Sequence, residues 1–388
     1  MDYPQAHPTI LITGATGLLG GALAAELLKS GEWSNVLLLV RGEDTDHALQ
    51  RTKDSLARFI STPQLLDEIK PAHILVGDFT APAAFVADER LQDIRRVVHC
   101  AALTSFGANR RAFSTNVDGT LRFVHHLRQV ADIERFLHVS TAMICGDAPP
   151  PVVREDDYPL ASARHLVSYT ESKAEAERLL RLTLPNFPLV IVRPSIIVGH
   201  SQLGTAPSSS IFWTFRVADA LGMILGQERS QIDVIPVDYA AEVLLQLLLK
   251  PKLRYPSYHI SAGMESACSW EEIAAAFAQS ESWSESADQG SGSPSAVRTN
   301  TGYRTVTLEE IEGRKPEFDT LFGRCHKGFM MKAIKLYGAF ASLNTVFDTR
   351  RIREEGIAAS PRFIDYLSTC RATSEPFTIS DQMAVDFS

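Results

Sequence analysis

Tyr169-Thr-Glu-Ser-Lys173 sets a phenol and an ammonium four residues apart, which places both on one face of a helix. A phenol titrating at about 10 exchanges protons poorly at neutral pH, and a neighbouring cation favours its ionised form. The pair is therefore a candidate proton donor with a charge to tune it. A second candidate lies upstream, where an apolar run ends in Val139-Ser140-Thr141-Ala142. A hydroxyl there can hydrogen-bond a carbonyl while Tyr169 protonates the oxyanion that develops. Ser140 and Thr141 compete for that role, spacing does not separate them, and either can equally cap a turn.

The sharpest local pattern is Ile10-Leu-Ile-Thr13-Gly14-Ala-Thr16-Gly17-Leu18-Leu19-Gly20, an apolar run passing through three glycines directly into a helical segment. Gly14 permits a tight turn, Gly17 lets backbone approach a pyrophosphate, and Gly20 allows close helix–strand packing. An anion then rests on the helix N-terminus, where unpaired N–H groups favour negative charge. In such a site an Asp or Glu closing the second strand would bond the ribose hydroxyls of NAD. Here the run 36–40 ends in Arg41, with Glu43 and Asp44 beyond it, and Arg51 follows one helical stretch later. A guanidinium at that place suits a 2′-phosphate, so NADPH is the expected cofactor. Lys173 can also hold the nicotinamide ribose.

These groups need a frame, and the sequence supplies one. Short apolar runs at 9–13, 36–40, 72–76, 97–100, 136–140 and 189–192 alternate with helical patterns at 20–29, 44–59, 112–130 and 169–182. Apolar runs separated by helices imply a parallel sheet covered on both faces, the doubly wound α/β arrangement, with ligands at the carboxyl edge. Past Arg193 the regularity breaks. A polar loop at 199–210, an apolar helix at 211–225, a strand at 232–237, a helix at 240–249 and a strand at 258–261 follow. The Ser-, Gly- and acid-rich stretch 280–295 reads as a mobile surface loop. Helical patterns return at 307–313, 329–343, 350–356 and 361–370 before a polar tail.

Composition narrows the function classes. The 388 residues are 45% hydrophobic, and the net charge of −8 with no Lys/Arg block argues against a nucleic-acid partner. The uncharged stretch 10–25 is too short and too glycine-rich to span a bilayer, so no transmembrane segment is expected. Five well-separated cysteines without a CxxC pair fit a reducing, cytoplasmic setting and give no zinc site. His125 and His126 are adjacent and diverge by about 100° on a helix, so no metal is expected. Neither GxxxxGK[ST] nor GxSxG occurs, which disfavours P-loop and serine-hydrolase chemistry.

Taken together, TGATGLLG (13–20), GDFT (77–80), HCAALTSFG (99–107), NVDGT (116–120), HVSTAMICG (138–146), YTESK (169–173) and VRPSIIVG (192–199) resemble the extended short-chain dehydrogenase/reductases over roughly residues 8–262. The resemblance implies that Thr141, rather than Ser140, is the catalytic hydroxyl beside Tyr169 and Lys173, with Asn116 supporting the geometry. It implies a cofactor lined by Thr13, Gly14, Thr16, Gly17, Leu18, Leu19 and Gly20, by Asp78 with Phe79 near adenine, by Ala101 and Ala102, and by Pro194 and Ser195 at the nicotinamide. A Rossmann domain over 1–200 and 231–262 is then expected, with a smaller, mostly helical C-terminal substrate-binding lobe over 201–230 and 263–388.

Within that family, the connection 37–51 after an Arg-ended strand, IDVIPVDYAAEVLLQLL (232–248) and FDTRRIREEGI (347–357) are similar to the thioester reductase and fatty acyl-CoA reductase (male-sterility-like) branch. This implies NADPH-dependent reduction of an acyl thioester, on coenzyme A or an acyl carrier protein, to an aldehyde, with onward reduction to the alcohol left open. The acyl group is expected to arrive as a soluble thioester or on a partner protein. Met143-Ile144-Cys145 stands where the branch often has an aromatic residue. Reduction or oxidation of a free carbonyl compound or a nucleotide-sugar is the alternative. It shares Gly14, Tyr169 and Lys173, but Arg41 and the long 41–60 connection favour the thioester branch. A dinucleotide-sensing binding protein would tend to have lost the Tyr or the Lys.

Overall fold

A computed structural model describes residues 9–104, 111–159, 162–208, 211–287 and 302–386. Seven strands form one all-parallel sheet: β1 (Ile10–Thr13), β2 (Val36–Val40), β3 (Ile74–Val76), β4 (Arg96–His99), β5 (Arg135–Val139), β6 (Leu189–Pro194) and β7 (Ser257–Ile260). Their spatial order is β7-β6-β5-β4-β1-β2-β3. Ile12 of β1 pairs with Leu38 on one side and Val98 on the other, so the order reverses at β1. The crevice beyond the carboxyl ends of β1 and β4 is the topological switch point where this architecture binds ligands.

Side-chain alternation along β1 assigns the faces. Ile10 and Ile12 pack against α1 (Leu18–Ser30) and α6 (Val237–Leu249), where Leu23 and Leu27 meet Val243 and Leu247. Leu11 faces the other layer with Val97, Phe136, and Phe123 and Leu127 of α3 (Thr120–Val130). The crossover helices α2 (Thr45–Leu56) and α4 (Ser168–Thr183) complete the cover. The six expected strands of the first two-thirds fall where the apolar runs predict, with ends shifted by one or two residues.

Beyond the sheet, α5 (Phe212–Leu221) buries Phe212, Trp213, Phe215, Val217, Ala218 and Leu221 and leaves Thr214, Arg216 and Asp219 half-buried. Phe212 and Phe215 meet Trp270 and Phe277 of α7 (Trp270–Ala287) and Phe363 of α9 (Phe363–Ser374). Trp213, Val217 and Leu221 meet Ile334 and Tyr337 of α8 (Lys327–Ala341) and Ile379 of α10 (Ile379–Asp386). Two expectations are corrected here. The stretch 280–295 is helical to Ala287, because a helix nucleated at Trp270 needs only propagation through a segment without Gly or Pro; its remainder lies outside the described residues. The polar tail holds α10, whose Ile379 and Met383 are buried. None of the described helices is long and apolar enough to cross a membrane.

Candidate active site

The glycine turn leads from β1 to α1 with the geometry its composition predicts. Gly14 sits at φ +77°, where a Cβ would lie 2.7 Å from Ala101 N. A Cβ on Gly20 would come within 2.3 Å of Gly14 O, so only glycine lets the helix seat on the turn. Gly17 caps α1, and no acidic side chain occupies its first turn, which leaves the N–H groups open to an anion. Thr13 anchors the strand end: its Oγ1 shares a 2.7 Å hydrogen bond with His99 Nδ1 and accepts from Ala101 N.

A cavity of about 920 Å³ opens at this turn and runs to the end of β5. Its wall carries Thr13, Gly14, Thr16, Gly17, Leu18, Leu19 and Gly20, then Arg41 and Arg51, then Asp78 and Phe79. It continues past Ala101 and Ala102 to Thr141, Tyr169, Lys173, Pro194 and Ser195. Every site residue read from the sequence, Asn116 excepted, thus lines one space.

Arg51 donates to the backbone carbonyl of exposed Arg41, holding the strand end while the Arg41 guanidinium stays at the rim. Asp78 Oδ1 accepts from Thr80 N and Oγ1, which leaves Oδ2 for a ligand. Ser140 Oγ is buried in the cavity wall with no hydrogen-bond partner among the described residues. An orphaned hydroxyl of this kind, with a helix terminus and two guanidiniums along the same wall, fits a dinucleotide whose polar groups would complete it.

The proton-handling groups lie where β5 meets α4. Thr141 caps the short turn Ala142–Cys145, and its Oγ1 accepts from Met143 N at 3.2 Å. That bond orients the oxygen and leaves the hydroxyl proton to donate. Lys173 Nζ donates to Val139 O at 2.6 Å, tying α4 to the strand end. Burial pulls Lys173 down to about 8, against the opposing influence of the Glu177 carboxylate, and pushes the Tyr169 phenol up to about 12. His99 and His138 stack nearby at 5.7 Å; burial and the Lys173 charge hold both neutral, His99 down at about 3.

Asn116 sits behind this layer. It lies in a π-helical turn, Ser114–Gly119, where its amide accepts from Leu103 N and donates to Leu103 O and to Ser172 Oγ. Ser172 in turn donates to Tyr169 O, so Asn116 holds the backbone on either side of the cavity from a distance. A π-turn has no sequence signature, though such turns recur at functional sites. Below Lys173, Glu177 and Arg193 form a buried ion pair at 2.8 Å, 0% and 1% exposed. Arg58, which the sequence did not single out, donates to the carbonyls of Thr16, Gly17 and Pro207 and so braces the glycine turn.

A family model described as male sterility protein matches residues 12–244. Fatty acyl-CoA reductase 2 of Mus musculus is 25% identical over 316 residues, covering 69% of this chain and 60% of that protein. A peramine synthetase of Metarhizium majus is 25% identical over 285 residues, covering 69% of this chain and 10% of that one. The chain thus spans less than two thirds of the length of these curated relatives. Among solved structures, the terminal R domain from the myxalamid PKS-NRPS pathway superposes with a TM-score of 0.72 at 20% identity, over 97% of this chain and 92% of that one.

Proposed function

Since the chain belongs to the male sterility protein family, we propose that it is an NADPH-dependent reductase of acyl thioesters, carried on coenzyme A or an acyl carrier protein, giving the aldehyde. The observation that carries this reading is one continuous cavity, with an anion-ready helix terminus and Arg41 at one end and Thr141, Tyr169 and Lys173 at the other. When bound, the reduced nicotinamide supplies the hydride that adds to the thioester carbonyl carbon.

The protein's own groups manage the charge that results. Thr141 donates a hydrogen bond to the oxygen as it becomes anionic, and Tyr169 passes it the phenolic proton. Lys173 stabilises the phenolate left behind. The phenolate then takes back the hydroxyl proton of the hemithioacetal as the carbon–sulfur bond breaks, which releases thiolate and the aldehyde. Asn116, through Ser172, keeps Tyr169 in place. Nicotinamide absorbance followed with acyl-CoA and acyl-pantetheine substrates tests the reading. Oxidation of NADPH is the expected result, and turnover of ketones or sugars alone would overturn it.

Cofactor choice has its own test. Arg41→Ala removes one charged donor for the 2′-phosphate, and the preference for NADPH over NADH is expected to fall about 10–100-fold. A variant with the wild-type preference would remove Arg41 from the site.

Titration of Lys173 gives opposite signs for activity and stability. The ammonium is charged below about 8, so kcat/KM is expected to fall as pH rises through that value, and Lys173→Arg should abolish the fall. Between about 8 and the ordinary 10.5 the unfolded chain holds the proton that the folded one has lost. Folding stability therefore rises with pH across that window. A pH–rate profile set beside urea melts at the same pH values checks both.

A further inference from the structure

Beyond the catalytic end of the large cavity lies a second one, of about 100 Å³, lined by α5, α8, Trp270 at the start of α7 and the segments 223–225 and 231–234. The two share a wall made by Met143, Ile196, Ile211, Tyr337 and Phe340. Past this neck the lining is aliphatic and aromatic: Phe215, Ala218, Leu221, Ile224, Trp270 and Ile334. Polar groups on the wall are already committed to the protein. Thr214 donates to Ile211 O, Thr345 donates to Pro150 O, and Asn344 accepts from Gln231 N. Asp233 accepts from the backbone N–H groups of Ala262, Gly263 and Phe347. Among the described residues of this wall, the Trp270 indole N–H is a polar spot without a protein acceptor.

We infer that this inner cavity receives the tail of a straight aliphatic acyl chain, and that Met143 at the neck and Ala341 on the wall limit its length. The inference rests on the thioester reading for what lies outside the neck, where the carbonyl must sit beside Thr141 and Tyr169. An occupant entering past Met143 finds no free charge among the described lining residues and a wall that rewards each methylene. Apolar cavities of about 150 Å³ stay dry and hold the six carbons of benzene, so this one takes roughly four to six carbons past the neck. An unbranched methionine bends to admit a chain more readily than an aromatic side chain would.

The experiment is a series of acyl-pantetheines from acetyl to palmitoyl, with kcat/KM measured for wild type, Ala341→Leu and Met143→Trp. The expected wild-type result is a gain of about fourfold for each methylene that enters, then a plateau or fall once the cavity is full. Both variants should lower the ratio of octanoyl to acetyl kcat/KM at least tenfold, a ratio that general misfolding would not move. Thioesters reduced with no dependence on chain length, or ratios that match wild type in both variants, overturn the inference and leave the thioester reading standing.

A readout without turnover separates the two further. Trp213 and Trp270 line the cavity, so an acyl-pantetheine brominated near its chain end should quench their fluorescence saturably in the absence of cofactor. Trp213→Phe/Trp270→Phe should lose that signal. Quenching without any thioester turnover would keep the aliphatic site and remove the reaction, and absence of quenching in wild type overturns the site.

Discussion

Tyr169→Phe is expected to lower kcat with acyl thioesters by ~10²–10⁴-fold while NADPH still binds near its wild-type affinity. In the proposed mechanism the phenol is the group that gives up a proton, and its oxygen is the only heavy atom the substitution removes. Burial pushes its titration up to about 12, so without help it is a weak acid in this wall. In the proposed mechanism help comes from the positive charge of Lys173, four residues on and fixed by its bond to Val139 O. Thr141 is left with the oxyanion to itself in the variant, and its single hydrogen bond sets the residual rate. Steady-state kinetics with a separate fluorescence titration of NADPH decide the matter. A loss smaller than tenfold would mean that the proton comes from elsewhere.

Glu177→Leu is expected to destabilise the fold by about 3–5 kcal/mol in urea titrations, because it leaves the Arg193 cation buried without its carboxylate. Arg193 keeps its bonds to Glu155 O and Asp157 O and its place 4.9 Å from the Tyr158 ring, but none of these carries a negative charge. Glu177→Leu/Arg193→Met should recover most of the loss, since a well-packed apolar pair replaces a buried ionic one at little cost. A single variant within 1 kcal/mol of wild type would show that the pair adds nothing. Both residues adjoin the site: Glu177 follows Lys173 by one helical turn, and Arg193 precedes Pro194 in the cavity wall.

Much of this was written locally in the sequence. The turn from Thr13 to Gly20 reads directly because its conformation depends on atoms glycine lacks, as the 2.3 Å approach at Gly20 shows. Arg41 reads because a strand end has a fixed place beside the switch point. The helix face shared by Tyr169 and Lys173 reads from a spacing of four. Of the two hydroxyls that spacing does not separate, Thr141 accepts from Met143 N at the mouth of its turn, while Ser140 is buried and unpartnered among the described residues. Other features depend on contacts across long stretches of chain. Arg58 is an ordinary helix-end arginine until Thr16, Gly17 and Pro207 converge on it. The inner cavity exists because α5, α7 and α8 leave a gap, and no periodicity in any one of them shows a gap.

One small ladder has a consequence for how the molecule is made. Val346 and Phe347 pair with Val152 and Val153, and the Thr345 hydroxyl reaches Pro150 across 195 residues of chain. Phe347 N also closes the ring of donors on Asp233. A ribosome must therefore deliver 195 further residues before the segment that follows the turn Ala142–Cys145 can find its partner. Until then, the apolar surface of Ala142 and Val153 that Phe347 will cover stays open to solvent, and contacts of such long loop closure form late and slowly. Nascent chains of this protein should consequently lean on chaperones for longer than a sheet of seven parallel strands alone would require.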